Sequence, residues 1–323
     1  MRTICMRFCS SLLVLVIAVS FGLSQQSPLP DASQTPPTSK PSSDESAVGP
    51  PPIKLEPDAS GLVSQSQFRE LLRYAQDREV QNEKRLHDYT YVEREEEHRL
   101  DGSGNVKKIE TRTREVLEVF GEQVERLIAK DDKPLPAEEA KKEEEKIQKV
   151  IDKYKDESEK ARRKRLEKEE KERQEERKFV LEIAAAFTFR LVGSETLEGR
   201  DTWVIEGDPR AGYEPKERST KMLSKFKGRV WIDKAEGQWV KLDITAIDSI
   251  SVGWVLARIH KGMRIEAEQT KINDEVWLPK HVAVRVDVRL ALLKSYNEDV
   301  DVTYRDYKKF RTESKITAVG ETQ

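Results

Sequence analysis

Two stretches near the end of the chain alternate apolar and polar residues without a slip. HVAVRVDVRL puts Val282, Val284, Val286, Val288 and Leu290 on one face, with Arg285, Asp287 and Arg289 on the other. EDVDVTYRDY sets Val300, Val302 and Tyr304 against Asp301, Thr303 and Arg305. A period of two with one greasy and one wet face predicts antiparallel strands that cover a core on one side only. The alternation recurs in YTYVEREEEHRL, NVKKIETRTREVLEVF, EQVERLIAK, FRLVGSET, TWVIEG, RIEAEQTKI and VWLPKHVAV. Turn residues separate these runs: DGSG at 101–104, Gly121, the LEGRD segment and the NDE segment. The pattern predicts about ten strands.

The run GRVWIDKAEGQWVKLDI, residues 228–244, predicts a hairpin. A three-residue loop Ala235-Glu236-Gly237, with Gly237 left-handed, pairs Lys234 with Gln238. That register sets Ile232 opposite Val240 and Val230 opposite Leu242 on one face. Trp231 and Trp239 then share the other face. They are either covered by another element or part of a sticky outer surface.

Helical spacing is rarer. In SGLVSQSQFRELLRYAQDREV, Phe68, Leu71, Leu72 and Ala75 fall at i, i+3, i+4 and i+7 and make one apolar stripe, opposite Arg69, Glu70, Arg73 and Asp77. A sheet of this width has to curl to bury its apolar face. Its available lids are the helix at 62–86, FVLEIAAAFTF (179–189) and AIDSISVGWVLARIHKG (246–262). The expected fold class is α+β, mostly antiparallel β: a curved half-barrel sheet lidded by a few helices. Where lids cover the concave side only partly, an apolar groove remains.

Residues 137–178 follow neither pattern. About three-quarters of them are charged, with Glu placed before Lys or Arg at four-residue spacing. Such a long charged helical insertion can hold without a core, and unbroken it would reach roughly 60 Å. Ile147, Val150, Ile151 and Tyr154 give its first half a stripe that can dock. The second half has almost none and is expected in solvent, either as a passive insertion or as an arm toward an envelope protein partner.

The chain starts with Arg2 and Arg7, followed by the apolar run SLLVLVIAVSFGLS and small residues suited to cleavage. This predicts an export signal over 1–24 and places the protein in the periplasm, with an uncleaved anchor as the alternative. Loss of the two arginines takes the net charge from −2 to −4. Cys5 and Cys9 both lie in the discarded part, so stability must come from packing rather than disulfides. Residues 25–60 are Pro/Ser-rich with few large apolar residues and read as a disordered linker. Residues 61–135 and 179–315 then form the half-barrel domain, and 316–323 a flexible tail.

FRLVGSETLEGRDTWVIEGDPR followed by GRVWIDKAEGQWVKLDI resembles the LolA/LolB-like superfamily. There a strand ending in a V-G-x-E-x-x-x-G-R turn leads to a W-V-I-E strand and a V-W-I-D hairpin. The resemblance spans roughly residues 62–135 and 179–312, and the charged segment 137–178 departs from it. It implies a half-open antiparallel barrel lidded by helices, in a superfamily of periplasmic lipoprotein carriers, lipid-carrying lipoproteins and envelope-stress regulators. The carriers' lid-locking arginine has two alternative positions here, Arg94 or Arg99, and no binding residue is carried over from the resemblance. A fold-level likeness does not fix function.

Signs of chemistry are sparse. His87, His98, His260 and His281 are scattered without metal-ligand spacing, and no HExxH, G-x-S-x-G or P-loop occurs. The EREEEH run (93–98) invites a hard cation, but reads better as a charged edge that discourages strand addition. The slightly acidic net charge argues against nucleic acid. No catalytic residue, metal or cofactor is implied, and the chain does not read as an enzyme.

The partners that fit are a lipid or lipidated protein, with contact to the membrane peripheral at most. The alternation assigns Phe68, Leu72, Val204, Val230, Ile232, Val240, Leu242, Trp254, Leu256, Val284, Val286 and Val302 to the groove. Two readings stay open: a carrier that holds an acyl chain, and a scaffold or sensor that uses the charged helix.

Overall fold

The computed structural model describes residues 54–120, 122–215, 219–252, 257–290 and 294–310. The export signal, most of the linker, the C-terminal tail, Trp254 and Leu256 lie outside them. Fourteen described strands join one antiparallel sheet. They are β1 (Leu62–Val63), β2 (Tyr89–Leu100), β3 (Val106–Val119), β4 (Glu122–Lys130), β5 (Lys133–Pro134), β6 (Phe187–Leu197), β7 (Arg200–Pro209), β8 (Phe226–Asp233), β9 (Trp239–Ala246), β10 (Ile250–Val252), β11 (Ala257–Ile259), β12 (Arg264–Ile272), β13 (Val276–Leu290) and β14 (Lys294–Lys309). The ten long strands are the ones that alternation marks. The other four, β1, β5, β10 and β11, have two or three residues each, too few to show a period.

Neighbours run β1-β6-β7-β8-β9-β12-β13-β14-β2-β3-β4-β5, with β10 and β11 joined at the side of β13. The sheet is open, ending at β1 and β5. The segment expected as a third lid, 246–262, instead supplies β10 and β11, and Ile250 and Ile259 pair across them. Ile250, Val252 and Ile259 extend the sheet rather than roof it.

Three α-helices are described: α1 (Gln65–Leu86), α2 (Ala137–Lys155) and α3 (Glu159–Ala186). Ser64 caps α1 in a capping box with Gln67, which fixes where the helix starts. Helix α1 packs against β6 and β13, five strand spacings apart. That is about 24 Å at roughly 4.8 Å per strand, within the ~33 Å length of a 22-residue helix. One helix therefore crosses the apolar face. Phe68 and Leu71 are buried there, and Phe68 stacks on Phe189 with ring centroids 3.4 Å apart.

The charged segment is not one rod. It breaks at Asp156–Ser158, where Ser158 caps α3 by accepting from the Ala161 amide. Arg165 bonds Glu157 (3.0 Å) across the break and lies 5.1 Å over the Tyr154 ring. The α2 stripe docks as its pattern suggests: Ile147 is buried with Val119 and Val124, flanked by Val150 and Ile151. Helix α3 runs through residue 178 without interruption and ends in buried Phe179, Ala184 and Ala186. FVLEIAAA is thus the last part of the charged helix, and it packs on α1. Most of α3 before Phe179 is exposed or half-buried.

The segment FRLVGSETLEGRDTWVIEGDPR and the hairpin after it build the turns. Leu197 pairs with Arg200 around a two-residue loop in which Glu198 (φ 50°) and Gly199 (φ 77°) are both left-handed, as a tight hairpin of this twist requires. Arg200 Nε donates to Asp233 (2.7 Å) and its Nη2 to Glu236 (2.7 Å), while its guanidinium stacks 5.0 Å over Trp277. Asp233 is 1% exposed and also accepts from the amides of Ala235 and Glu236. Glu195 accepts from Trp231 Nε1 (2.6 Å), and Thr202 donates to the Glu195 carbonyl. These polar residues staple the β6–β7 turn to the β8–β9 turn, so the motif serves architecture.

Candidate functional site

The inner faces of β6 to β9 and β12 form the floor of an apolar groove, and α1 and α3 form its roof. The volume enclosed is about 310 Å³, at the lower end of the roughly 300–1,000 Å³ typical of ligand pockets. Phe187, Phe189, Ile205, Val230, Ile232, Leu242, Ile244 and Ile265 line the floor. Phe68, Leu71, Leu72, Ala75 and Val80 of α1 line the roof with Phe179, Val180 and Ile183 of α3, and Met222, Leu223 and Phe226 close one side.

Two glycines shape the floor. Gly207 on β7 and Gly228 on β8 pair in register, and both line the groove. Strand glycines let neighbours approach closely, and here Phe189 and Ile244 take the room that side chains would need. The fit is close: a Cβ on Gly207 would sit 3.2 Å from the Phe189 ring, and one on Gly228 3.1 Å from the Asp243 carbonyl.

The hairpin at the groove floor departs from the expected register. Val230 pairs with Leu242 and Trp231 with Lys241, but Ile232 pairs with Trp239. Val240 is the extra residue of a β-bulge, and one inserted residue moves every side chain beyond it to the opposite face. Trp239 therefore turns into the groove, and only Trp231 keeps the outer face. Trp231 is no sticky surface. It is 7% exposed, covered by its bond to Glu195 and by Arg229 and Lys241 at 5.8 and 5.6 Å from its ring. Gly237 is left-handed at φ 64°, as expected, and sits against Tyr74 of α1, which a Cβ there would meet at 2.6 Å.

Of the twelve groove residues expected from sequence, the structure brings Phe68, Leu72, Val230, Ile232 and Leu242 together. Val204 is buried on the outer face, because it pairs with Trp231 while Ile205 pairs with Val230. Val240 is displaced by the bulge and does not line the groove. Val282, Val284, Val286 and Val302 share the apolar face but lie beyond β12, packed on or within the core. Trp254 and Leu256 fall outside the described residues. Among the lining residues that sequence missed are Phe187, Phe189, Ile205, Trp239, Ile244, Ile265 and the glycine pair. A glycine inside an alternating run, as in VIEGD and KGRVWID, was the available signal.

Past β14 the same face changes character. Val300, Val302 and Tyr304 pair with Glu97, Glu95 and Glu93 of β2, whose next neighbours on β3 are Glu110, Arg112 and Arg114. EREEEH is thus not a charged edge: β2 lies between β14 and β3, and Glu93, Glu95 and Glu97 share the face of the core. Arg114 Nη1 donates to Glu93 (2.8 Å) and Glu95 (2.9 Å), and Arg112 to Glu95 (2.8 Å) and Glu97 (3.3 Å). Burial pushes the Glu93 carboxyl up to about 7 despite the Arg114 guanidinium, and pushes the Glu125 carboxyl up as well. This ionic ladder confines the apolar volume to the β6–β12 half of the sheet.

Neither Arg94 nor Arg99 reaches a lid helix. Arg94 bonds Asp132 and Glu96, and Arg99 bonds Glu97. Among the described residues, no group of His, Cys, Asp or Glu is placed to hold a metal ion. No described helix is long and apolar enough to cross a membrane.

No family model matches the chain. No curated protein matches it either. Solved structures are similar at low identity. One is a domain from Vibrio parahaemolyticus described as an outer membrane lipoprotein-sorting protein, at 14% identity over 76% of this chain and 94% of that one, TM-score 0.31. Another is a LolA superfamily protein from Nitrosomonas europaea, at 10% identity, 75% and 93% coverage, TM-score 0.28. A third is the MucA/MucB complex of Pseudomonas aeruginosa, at 10% identity, 73% and 98% coverage, TM-score 0.21. Two of these structures carry LolA-type or lipoprotein-sorting descriptions, as the resemblance in the sequence does. Superpositions this loose carry no weight for ligand or partner, which rest on the groove itself.

Proposed function

We propose that the protein is an exported, periplasmic binding protein that holds an acyl chain, free or attached to a polypeptide, in the groove under α1 and α3. The observation that carries this reading is an apolar hollow of about 310 Å³ between the inner face of the sheet and the two helices that roof it. A merely structural core would fill that space with side chains, because interiors pack to crystal-like density. No chemistry is required of such a site. Each buried methylene contributes about 0.8 kcal/mol. Ten of them contribute about 8 kcal/mol, the scale of a micromolar dissociation constant before the entropy of association is subtracted.

The test is titration with a fluorescent fatty acid, using the wild type and Ala75→Trp. Ala75 is a half-buried position on the roof, so a large ring there fills the groove without removing a core contact. Saturable binding in the wild type and at least about tenfold weaker binding in the variant are expected, since an occluded chain loses several methylenes. A wild type that ignores the probe sinks the reading.

The exposed charged face of α3 supports a second role, as a contact for an envelope protein partner. Deleting 140–176 does not separate the two roles, because Arg173 of that segment borders the groove. Reversing charge at exposed Lys160, Lys164 and Lys168 does separate them: partner capture falls while probe binding stays.

A further inference from the structure

Charge along the two-helix segment is sorted rather than mixed. Residues 153–168, around the break between α2 and α3, carry eight lysines and arginines against four carboxylates. The stretches on either side are acidic, with four against six over 137–152 and four against five over 169–178. The excess is also sorted by side. Lys160, Lys164, Lys168 and Lys171 recur at four, four and three residues, which stacks them along one side of α3. All four are exposed, whereas Arg165, Glu169, Glu172 and Glu176, about half a turn away, are half-buried. Glu167 is the one carboxylate set among the lysines, and it lies 3.8 Å from Arg163. Lys168 lies 3.8 Å from Glu172, and Lys160, Lys164 and Lys171 form no ion pair among the described residues. Like charges four residues apart repel and weaken a helix. A row of them over about 16 Å is therefore not explained by the stability of α3.

We propose that this lysine stripe is a docking face for an anionic lipid surface, on which the first half of α3 lies lengthwise. A bilayer presents a flat field of negative charge, and a straight row of ammonium groups meets it with no need for shape complementarity. A protein partner, the other occupant of this face raised above, is recognised through buried aromatic or arginine anchors, and lysine is depleted at such interfaces. The stripe holds no such anchor: Leu166, the exposed apolar residue of this half of α3, lies off it. The contact is electrostatic and stands whether or not the groove takes an acyl chain. Because the same helix continues into Phe179, Val180 and Ile183 of the groove roof, docking also lays that roof close to the lipid.

The experiment is co-sedimentation of the chain without its export signal with two kinds of vesicle, phosphatidylcholine alone and phosphatidylcholine mixed equally with phosphatidylglycerol. The wild type is compared with Lys160→Gln, Lys164→Gln, Lys168→Gln and with Lys160→Arg, Lys164→Arg, Lys168→Arg, each a triple variant. The wild type binds the anionic vesicles, leaves the neutral ones and is released by added salt. Each lysine near such a surface contributes about fivefold, so the glutamine variant binds about a hundredfold more weakly, while the arginine variant binds as the wild type does. All three positions are exposed, so helix content by circular dichroism and affinity for the fatty-acid probe stay unchanged. Equal binding to both vesicles, binding to neither, or undiminished binding by the glutamine variant overturns the proposal. A glutamine variant that keeps the vesicles but loses capture of an envelope protein makes the stripe a protein contact instead. Loss of probe binding by the wild type sinks the acyl groove alone and leaves the docking face standing.

Discussion

Glu93 offers the sharpest quantitative test of how the sheet is assembled. It is 2% exposed, on the core face of β2, facing Arg114 on β3 with Glu95 and Glu125 beside it. Burial outweighs the Arg114 charge and lifts its carboxyl from an ordinary 4.5 to about 7. Between those values the folded protein holds a proton that the unfolded chain has released. Ionisation therefore costs the fold nothing below pH 4.5. The cost grows as pH rises through the interval and is complete above pH 7. At 1.36 kcal/mol per pH unit the full cost is about 3 kcal/mol. Glu93→Gln keeps the shape and removes the titration. In urea unfolding at pH 5 and pH 8, the variant should lie within about 1 kcal/mol of the wild type at pH 5, less any weakening of the bond to Arg114. At pH 8 it should exceed the wild type by up to about 3 kcal/mol, with unchanged denaturant slopes. A difference between the two proteins that is the same at both pH values refutes the raised carboxyl, and with it the dominance of burial over the Arg114 charge.

Two further outcomes follow from the hairpin that forms the groove floor. Gly237→Ala places a Cβ against Tyr74 at 2.6 Å in a left-handed residue. It should cost about 1–3 kcal/mol and, by lifting α1, weaken fatty-acid binding. Thermal melts and probe titration check the two effects together. Arg200→Ala strips the guanidinium partner from Asp233, which is 1% exposed. A buried carboxylate left without its cation should lower stability by about 3–5 kcal/mol, read as an earlier urea midpoint. Because Arg200 lies outside the groove lining, any probe affinity measured on the folded fraction should be unchanged.

How the groove is built bears on what can enter it. Its floor is rigid sheet, held by the Arg200–Asp233 staple at one end and by the ionic ladder beyond β14. Its roof is two helices that touch each other and rest on the floor through side chains. A ligand that needs more room can therefore gain it by moving α1 or α3 outward at the price of some packing, whereas the glycine-lined floor cannot yield.

Alternation alone determined most of the elements. The ten long strands, the stripe Phe68-Leu71-Leu72-Ala75 on α1, the α2 stripe that docks on β4 and the left-handed turn at Gly237 follow from local spacing, because side-chain direction repeats every two or every 3.6 residues. Which of two alternate faces is the inner one did not follow in Trp203-Val204-Ile205, where both faces are apolar. Pairing with Val230 across the sheet settled it in favour of Ile205. The bulge at Val240 was equally hidden. One inserted residue leaves composition untouched and turns Trp239 from the outer face into the groove. The acidic run at 93–98 read as an edge because its own residues are charged. It became central because β14, some two hundred residues later, pairs with β2 and supplies the third strand beside it. Local spacing sets where a side chain points relative to its own backbone. Only the partner strand, brought in from far along the chain, decides whether that direction is water, core or a cavity.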